Sequence, residues 1–118
     1  MSRIGDTTHA DAIFHARARA EIRGLPRAVR KRIGAAIWEL QLGHRLAMPL
    51  SRPLPGVGSG VHELRLHDET TEFRVIYCLR PSVGVLVVSA FAKRTRRTPL
   101  RELTLARHRL KDLFNEET

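Results

Sequence analysis

Residues 61–92, with the sequence VHELRLHDETTEFRVIYCLRPSVGVLVVSAFA, decide the fold of this chain. Apolar and polar side chains alternate over 61–67, which is typical of a half-buried β-strand. Two further segments, 73–79 and 85–92, are rich in β-branched and apolar residues, and the last is apolar on both of its faces. Short turn sequences separate the three segments, so we predict a three-stranded antiparallel meander.

The chain before this sheet has a helical pattern. A short helix is predicted from about Ala16 to Arg23, where the sequence GLP interrupts it. A second helix is predicted from Pro26 to about Gly43, because apolar residues recur there at helical spacing. These apolar residues are Val29, Ile33, Ile37 and Leu40. The segment around residues 10–16, which contains AIFHA, is either a short first strand or the beginning of a helix.

The opposite side of the second helix is cationic. Its basic residues are Arg27, Arg30, Lys31 and Arg32. A solvated helix face and a contact with RNA or the ribosome both explain this pattern.

A third helix is predicted after the sheet. Thr98 and Pro99 have the residue types of an N-cap and a first helical residue, and an apolar stripe follows them. The stripe consists of Leu103, Ala106, Leu110 and Leu113. We expect residues 44–60, which are rich in Pro and Gly, to be irregular, and residues 1–9 to be a flexible tail. The predicted architecture is a single α+β domain over residues 10–118, with a small, mostly antiparallel sheet packed by helices.

Composition restricts the partners and the compartment. The chain has 21 Lys and Arg residues against 12 Asp and Glu residues, a formal net charge of +9, and 18 of the cations are arginine. This excess attracts phosphate-rich or acidic partners over long range. One cysteine, Cys78, cannot form an internal disulfide, and no apolar stretch is long enough to cross a membrane. We therefore expect a cytoplasmic protein with no membrane contact.

Cations occur at two places in the predicted sheet. Arg65 and Arg74 alternate with large apolar side chains that belong in the core, so both are predicted on the opposite, open surface. Lys93 and Arg94 end the third strand, although parity does not decide which of them turns toward Arg65 and Arg74. Four converging cations would form a phosphate site, since arginine offers a fork of donors that matches phosphate oxygens. The alternative is that these side chains pair with surface acids or are solvated.

The ordered series of motifs resembles a known family. The motifs are EIRGLP, MPLSRPL, GVHELRL, FRVIYCL, VLVVSAFAKRTRRTP and ELTLARHRLKDL. Together they resemble the phage-derived, HigB-like branch of the RelE/ParE toxin superfamily, over about residues 10–114. The resemblance implies a sheet with an additional N-terminal strand at AIFHA. It also implies a toxin of a type II toxin–antitoxin system, neutralised by a cognate antitoxin, often of the helix-turn-helix type.

Many members of this superfamily are ribosome-dependent endoribonucleases, which cut mRNA by attack of a ribose 2′-hydroxyl on the adjacent phosphate. The resemblance assigns substrate-contacting and catalytic positions to Arg65, Arg74, Lys93 and Arg94, with neither metal nor cofactor. The next two cations along the chain, Arg96 and Arg97, are then expected to contact ribosomal RNA or an acidic antitoxin surface.

The predicted arginines are too weak as bases to accept the 2′-hydroxyl proton, so another residue has to do so. His62, Glu63 and His67, which lie on the first strand, are the candidates, and a histidine in general can move a proton near neutral pH. The six histidines show no zinc-binding spacing, so no metal site is expected.

One feature departs from the family pattern. The strand-following tyrosine that stacks on the cut nucleotide has no counterpart, because the only tyrosine, Tyr77, lies inside a strand. This keeps two other hypotheses open: a toxin of the same fold that inhibits DNA gyrase by binding it, and a basic nucleic-acid-binding module without catalysis.

Overall fold

The computed structural model describes residues 9–117, with side chains to residue 115, and confirms the α+β fold. Within these residues the elements are, in chain order, β1 (Ala12–Phe14), α1 (Ala16–Arg23), α2 (Arg27–Gln41), β2 (Ser51–Pro53), β3 (Val61–His67), β4 (Glu72–Arg80), β5 (Gly84–Lys93) and α3 (Leu100–Glu117). The predicted tail lies outside the described residues except for His9. No helix of the described chain is long and apolar enough to cross a membrane.

The five strands form one sheet in the order β1-β5-β4-β3-β2. The meander β3-β4-β5 is antiparallel, as predicted. The AIFHA segment contributes β1, which pairs with β5 in parallel. The expectation that residues 44–60 are irregular is wrong for Ser51–Pro53, which pair with β3 as the edge strand β2. This strand has three residues and ends in proline, so it has no periodic pattern that could reveal it.

Helices α1 and α2 cover one face of the sheet. The predicted stripe of α2 is buried there, together with Leu64 and Leu66 of β3 and Phe73, Val75 and Tyr77 of β4. His62 points to the same face, where its ring stacks on the ring of Tyr77 with centroids 5.3 Å apart. The Tyr77 hydroxyl is 2.6 Å from the hydroxyl oxygen of Ser51, so this core also ties β2 to the sheet.

Helix α3 covers part of the opposite face. Ala106, Leu110 and Leu113 pack on an apolar surface formed by Val61, Ile76, Cys78, Leu86 and Val88. The helix begins at Leu100, with the Pro99 carbonyl accepting from the backbone N–H groups of Glu102 and Leu103. The prediction that Thr98 is the N-cap is wrong, because its hydroxyl donates to Glu63 of β3 instead.

A register shift in the β4-β5 ladder changes which side chains of β5 face α3. Ile76 pairs with Ser89 whereas Tyr77 pairs with Val87, so Val88 is an extra residue on β5. Such a bulge reverses the alternation of the strand beyond it. Lys93 is therefore brought to the face that also carries Arg74.

Beyond the short strand β1, side chains satisfy the edge of β5. The Arg109 guanidinium donates to the Val88 carbonyl at 3.0 Å, and the Ala90 backbone N–H donates to Glu21 at 3.0 Å. Arg109 and Glu21 also form a two-pronged ion pair at 2.8 and 2.9 Å, which joins α3 to α1.

Candidate functional site

A cationic cleft of about 560 Å³ opens where α3 leaves the sheet uncovered. Its lining consists of Arg65, Thr70, Thr71, Glu72, Arg74, Lys93, Arg94, Thr95 and Arg96. Five of these side chains are cationic and one is a carboxylate. Because low-dielectric walls focus the field of the charges that line a cleft, this site attracts anions. All four positions for which the sequence predicts substrate contacts or catalysis lie in this lining.

Arg74 is the most firmly held of the four. Its side chain is buried, whereas the sequence predicts an open surface, because neighbouring acceptors surround the guanidinium. One Nη donates to Glu72 at 2.8 Å and the other donates to the Phe73 carbonyl at 3.1 Å. Its Nε has no hydrogen-bond partner and lies 3.7 Å from a Glu63 oxygen. The position of this cation is therefore fixed before any ligand arrives.

Glu63 connects Arg74 to the rest of the site. The carboxylate is fully buried and accepts from Arg52 of β2 at 3.0 Å and from the hydroxyl of Thr98. Glu63 thus joins β2, β3, β4 and the segment that leads into α3. A buried carboxylate whose oxygens are already engaged is an anchor for its cationic partners.

Arg65 differs from Arg74 in having few partners. The two residues are directly opposite each other in the β3-β4 ladder, an unfavourable pairing of like charges. Arg65 is half-buried, and one Nη lies 3.6 Å from the Met48 sulfur, a weak acceptor. No carboxylate among the described residues forms an ion pair with it. Its donors can therefore turn to an anionic ligand, which would also relieve the repulsion.

Lys93 and Glu72 are opposite each other in the β4-β5 ladder and line the cleft, with Lys93 buried and Glu72 exposed. Burial, followed by the charge of Arg74, lowers the pKa of Lys93, and its ammonium donates to the Thr95 carbonyl. A hydrogen bond from Arg74, and then the charge of Arg74, lowers the pKa of Glu72. The Lys93 nitrogen lies 3.9 Å from a Glu72 oxygen.

Sequence reasoning missed Glu72, because its segment has the composition of a turn. The signal that could have revealed Glu72 was the alternation of side chains between the two faces of the strand. Glu72 precedes Arg74 by two residues, so a strand that begins one residue earlier places both side chains on one face.

The remaining predicted residues are distributed over both sides of the molecule. Arg94 and Arg96 line the cleft, and Arg97 is exposed on the same connection to α3. The cationic residues of α2 are exposed on the helix layer that covers the opposite face of the sheet. Three of the four, Arg27, Arg30 and Lys31, do not line the cleft or the recess beside it, whereas Arg32 lines that recess. The structure therefore does not bring Arg27, Arg30 or Lys31 into the cleft.

The three predicted candidates for proton transfer also separate. His62 lies on the other face of the sheet, in contact with Tyr77, and Glu63 is occupied by its partners. His67 is exposed at the end of β3, opposite Glu72 in the ladder. Among the described residues, no group of three or more His, Cys, Asp or Glu side chains could hold a metal ion.

A smaller recess of about 290 Å³ adjoins the cleft. It is lined by Arg32, Pro49, Leu50, Arg65, Leu66, His67, Glu72 and Arg74. Three of these residues, Arg65, Glu72 and Arg74, line both cavities, so the cleft and the recess form one continuous surface.

Comparison with known proteins places the chain in a family. No curated protein matches it. Residues 20–111, most of the chain, match the model of a family described as phage-derived protein Gp49-like (DUF891). The matched region includes β3, β4 and β5 with every predicted cation of the cleft. The chain therefore belongs to the phage-derived Gp49-like family, which is associated with the toxins of toxin–antitoxin systems.

Proposed function

We propose that this protein is the toxin of a type II toxin–antitoxin pair and cleaves mRNA on the ribosome as a metal-independent endoribonuclease. The observation that carries the proposal is the convergence of five cations in one cleft, two of them buried and held in place. Such a cleft suits an RNA phosphate, and family membership supports a toxin. The HigB-like assignment within the RelE/ParE superfamily is part of the same proposal.

In the proposed reaction, the ribose 2′-oxygen attacks the adjacent phosphorus and the bond from phosphorus to the 5′-oxygen breaks. The products are a 2′,3′-cyclic phosphate and a 5′-hydroxyl. Arg74 supplies a fixed positive charge beside the phosphate, and Arg65 closes on its oxygens as negative charge increases in the transition state. Preorganised donors are the main source of rate in such a reaction, because they need no reorganisation.

Two proton transfers complete the reaction. Lys93, whose pKa is lowered by burial and by Arg74, is the proposed donor to the departing 5′-oxygen. The 2′-hydroxyl proton passes to Glu72, which lines both the cleft and the recess, or to His67, which lines the recess. Glu72→Gln and His67→Gln distinguish these two candidates when the single-turnover rate is measured against pH. The variant that lacks the true acceptor loses the pH dependence which that acceptor causes, and the other variant keeps it.

The proposed partners follow from the remaining charges. Arg94, Arg96 and Arg97 extend the cationic surface beyond the cleft and would contact ribosomal RNA. The same surface suits an acidic face of a cognate antitoxin, which would block the cleft. The proposed compartment is the one that contains ribosomes, the cytoplasm.

The test is induction of the chain in cells, with mapping of the 5′ ends of ribosome-bound transcripts. We expect growth arrest and new ends that carry a 5′-hydroxyl. Arg65→Ala should reduce cleavage by about 10²- to 10³-fold, as loss of one preorganised donor does, and should fold normally because Arg65 has only a weak partner. Arg23→Ala is the matched control, since Arg23 is an exposed arginine on α1 that lines neither the cleft nor the recess.

The proposal fails if wild-type protein arrests growth without producing new transcript ends. A DNA gyrase supercoiling assay on the purified protein then tests the non-enzymatic alternative. Growth without arrest, together with salt-sensitive RNA binding, would indicate a nucleic-acid-binding module.

A further inference from the structure

The recess beside the cationic cleft has the form of a binding site for a flat ring. Its volume of about 290 Å³ is close to the lower end of ligand pockets, which begin at roughly 300 Å³. Pro49, Leu50 and Leu66 provide apolar walls, while Arg32 and Arg65 provide planar cations. This combination suits a heterocyclic base better than a second phosphate.

The walls of the recess are held by backbone hydrogen bonds. The Arg65 N–H donates to the Leu50 carbonyl at 2.7 Å, and the Ser51 N–H donates to the Ala47 carbonyl at 3.0 Å. The loop that carries Pro49 is therefore tied to β3 on one side and to its own beginning on the other. A site of this kind needs little rearrangement on binding.

Two guanidinium groups approach the recess from different elements. Arg32 extends from α2, and one Nη donates to the His67 carbonyl at 2.7 Å, which fixes its direction. Arg65 extends from β3 and passes beside Met48. Guanidinium planes stack on bases that have left a helix, and arginine donors match the O6 and N7 acceptors of guanine.

We propose that the recess binds the base of the nucleotide next to the scissile phosphate, with guanine favoured over adenine. This inference rests on the proposed ribonuclease function. Arg65 and Arg74 line both the recess and the cleft, so a base in the recess and a phosphate in the cleft would contact the same two arginines.

The test compares Arg32→Gln and Arg32→Lys with the wild type. In transcript-end mapping, wild-type cut sites should favour guanine over adenine at one position beside the cut, by about 5- to 150-fold, the discrimination of a bidentate arginine–guanine pair. Both variants should lose most of this preference, because glutamine removes the charge and lysine keeps the charge but lacks the fork. Arg23→Gln is the control for loss of an exposed positive charge.

A second measurement does not require cleavage. Short single-stranded RNAs with a 2′-deoxy sugar at the cut position are titrated against purified protein, with guanine or adenine at the neighbouring position. Wild-type protein should bind the guanine oligonucleotide more tightly, and Arg32→Gln should bind both equally.

The inference is overturned if wild-type protein cleaves without a base preference, if Arg32→Lys retains the full preference, or if Arg32→Gln alters only antitoxin affinity. Equal binding of the two oligonucleotides overturns it as well. The proposed nuclease function fails separately, when no transcript is cut although guanine is preferred in the titration.

Discussion

Glu63→Gln tests whether the buried carboxylate holds the cationic cleft together. The substitution keeps the shape of the side chain but removes its charge, which leaves Arg74 buried with only an exposed carboxylate as ionic partner. Breaking a buried ion pair by removing one partner costs about 3 to 5 kcal/mol. We expect a loss of about 3 kcal/mol in the free energy of unfolding, at the lower end because the amide oxygen still accepts one hydrogen bond.

Urea unfolding followed by circular dichroism measures this loss. With a typical slope of about 1 to 3 kcal/mol per molar urea, the midpoint should fall by about 1 to 3 M. Glu72→Gln is the matched control, since it makes the same change in an exposed carboxylate that contacts the same arginine, and its midpoint should move much less. A Glu63→Gln midpoint equal to that of the control would refute the anchoring role of Glu63.

Three further predictions concern the same structure. Thr98→Val removes the hydroxyl that donates to Glu63 and should lower stability by roughly 1.5 kcal/mol, measured by thermal unfolding; an unchanged midpoint would contradict this contact. Gly84→Ala should destabilise by more than about 2 kcal/mol, because φ is 133° there and a Cβ would overlap the Asp11 carbonyl oxygen; a neutral result in urea unfolding would exclude this close approach. Arg74 lowers the pKa of Glu72, so the ionised form of Glu72 stabilises the folded state. The stability difference between wild type and Glu72→Gln should therefore be full above the ordinary pKa of 4.5 and should disappear as the pH falls through the lowered value. A difference that persists in acid would argue against the ion pair.

The sequence predicts those parts of the site that depend on local alternation. Arg65 and Arg74 are placed on one surface by the period of two in β3 and β4, and the ladder pairs them directly. The position of Lys93 could not be predicted, because the extra residue Val88 reverses the alternation of β5. Apart from Ser89, the residues near this bulge are apolar, so the pattern there is compatible with either face.

Long-range contacts explain the other differences between prediction and structure. Strand β2 exists because it pairs with β3, and its three residues have no signature of their own. Thr98 has the residue type of a helix cap, yet a buried carboxylate 35 positions earlier takes its hydrogen bond. Burial of Arg74 depends on Glu63 and Glu72 together, and the spacing of charges along the chain does not reveal that arrangement.

The ion pair between Glu21 and Arg109 has a consequence for how this protein meets others. Together the two side chains occupy the backbone groups of β5 at Val88 and Ala90 that a further strand would need. The sheet ends in three-residue strands on both sides, and β2 closes with a proline. Within residues 9–117, an extended peptide therefore finds no long template for β-augmentation. A protein partner has to recognise the side-chain surfaces of the cleft and the helices, where its specificity depends on matching charge and shape.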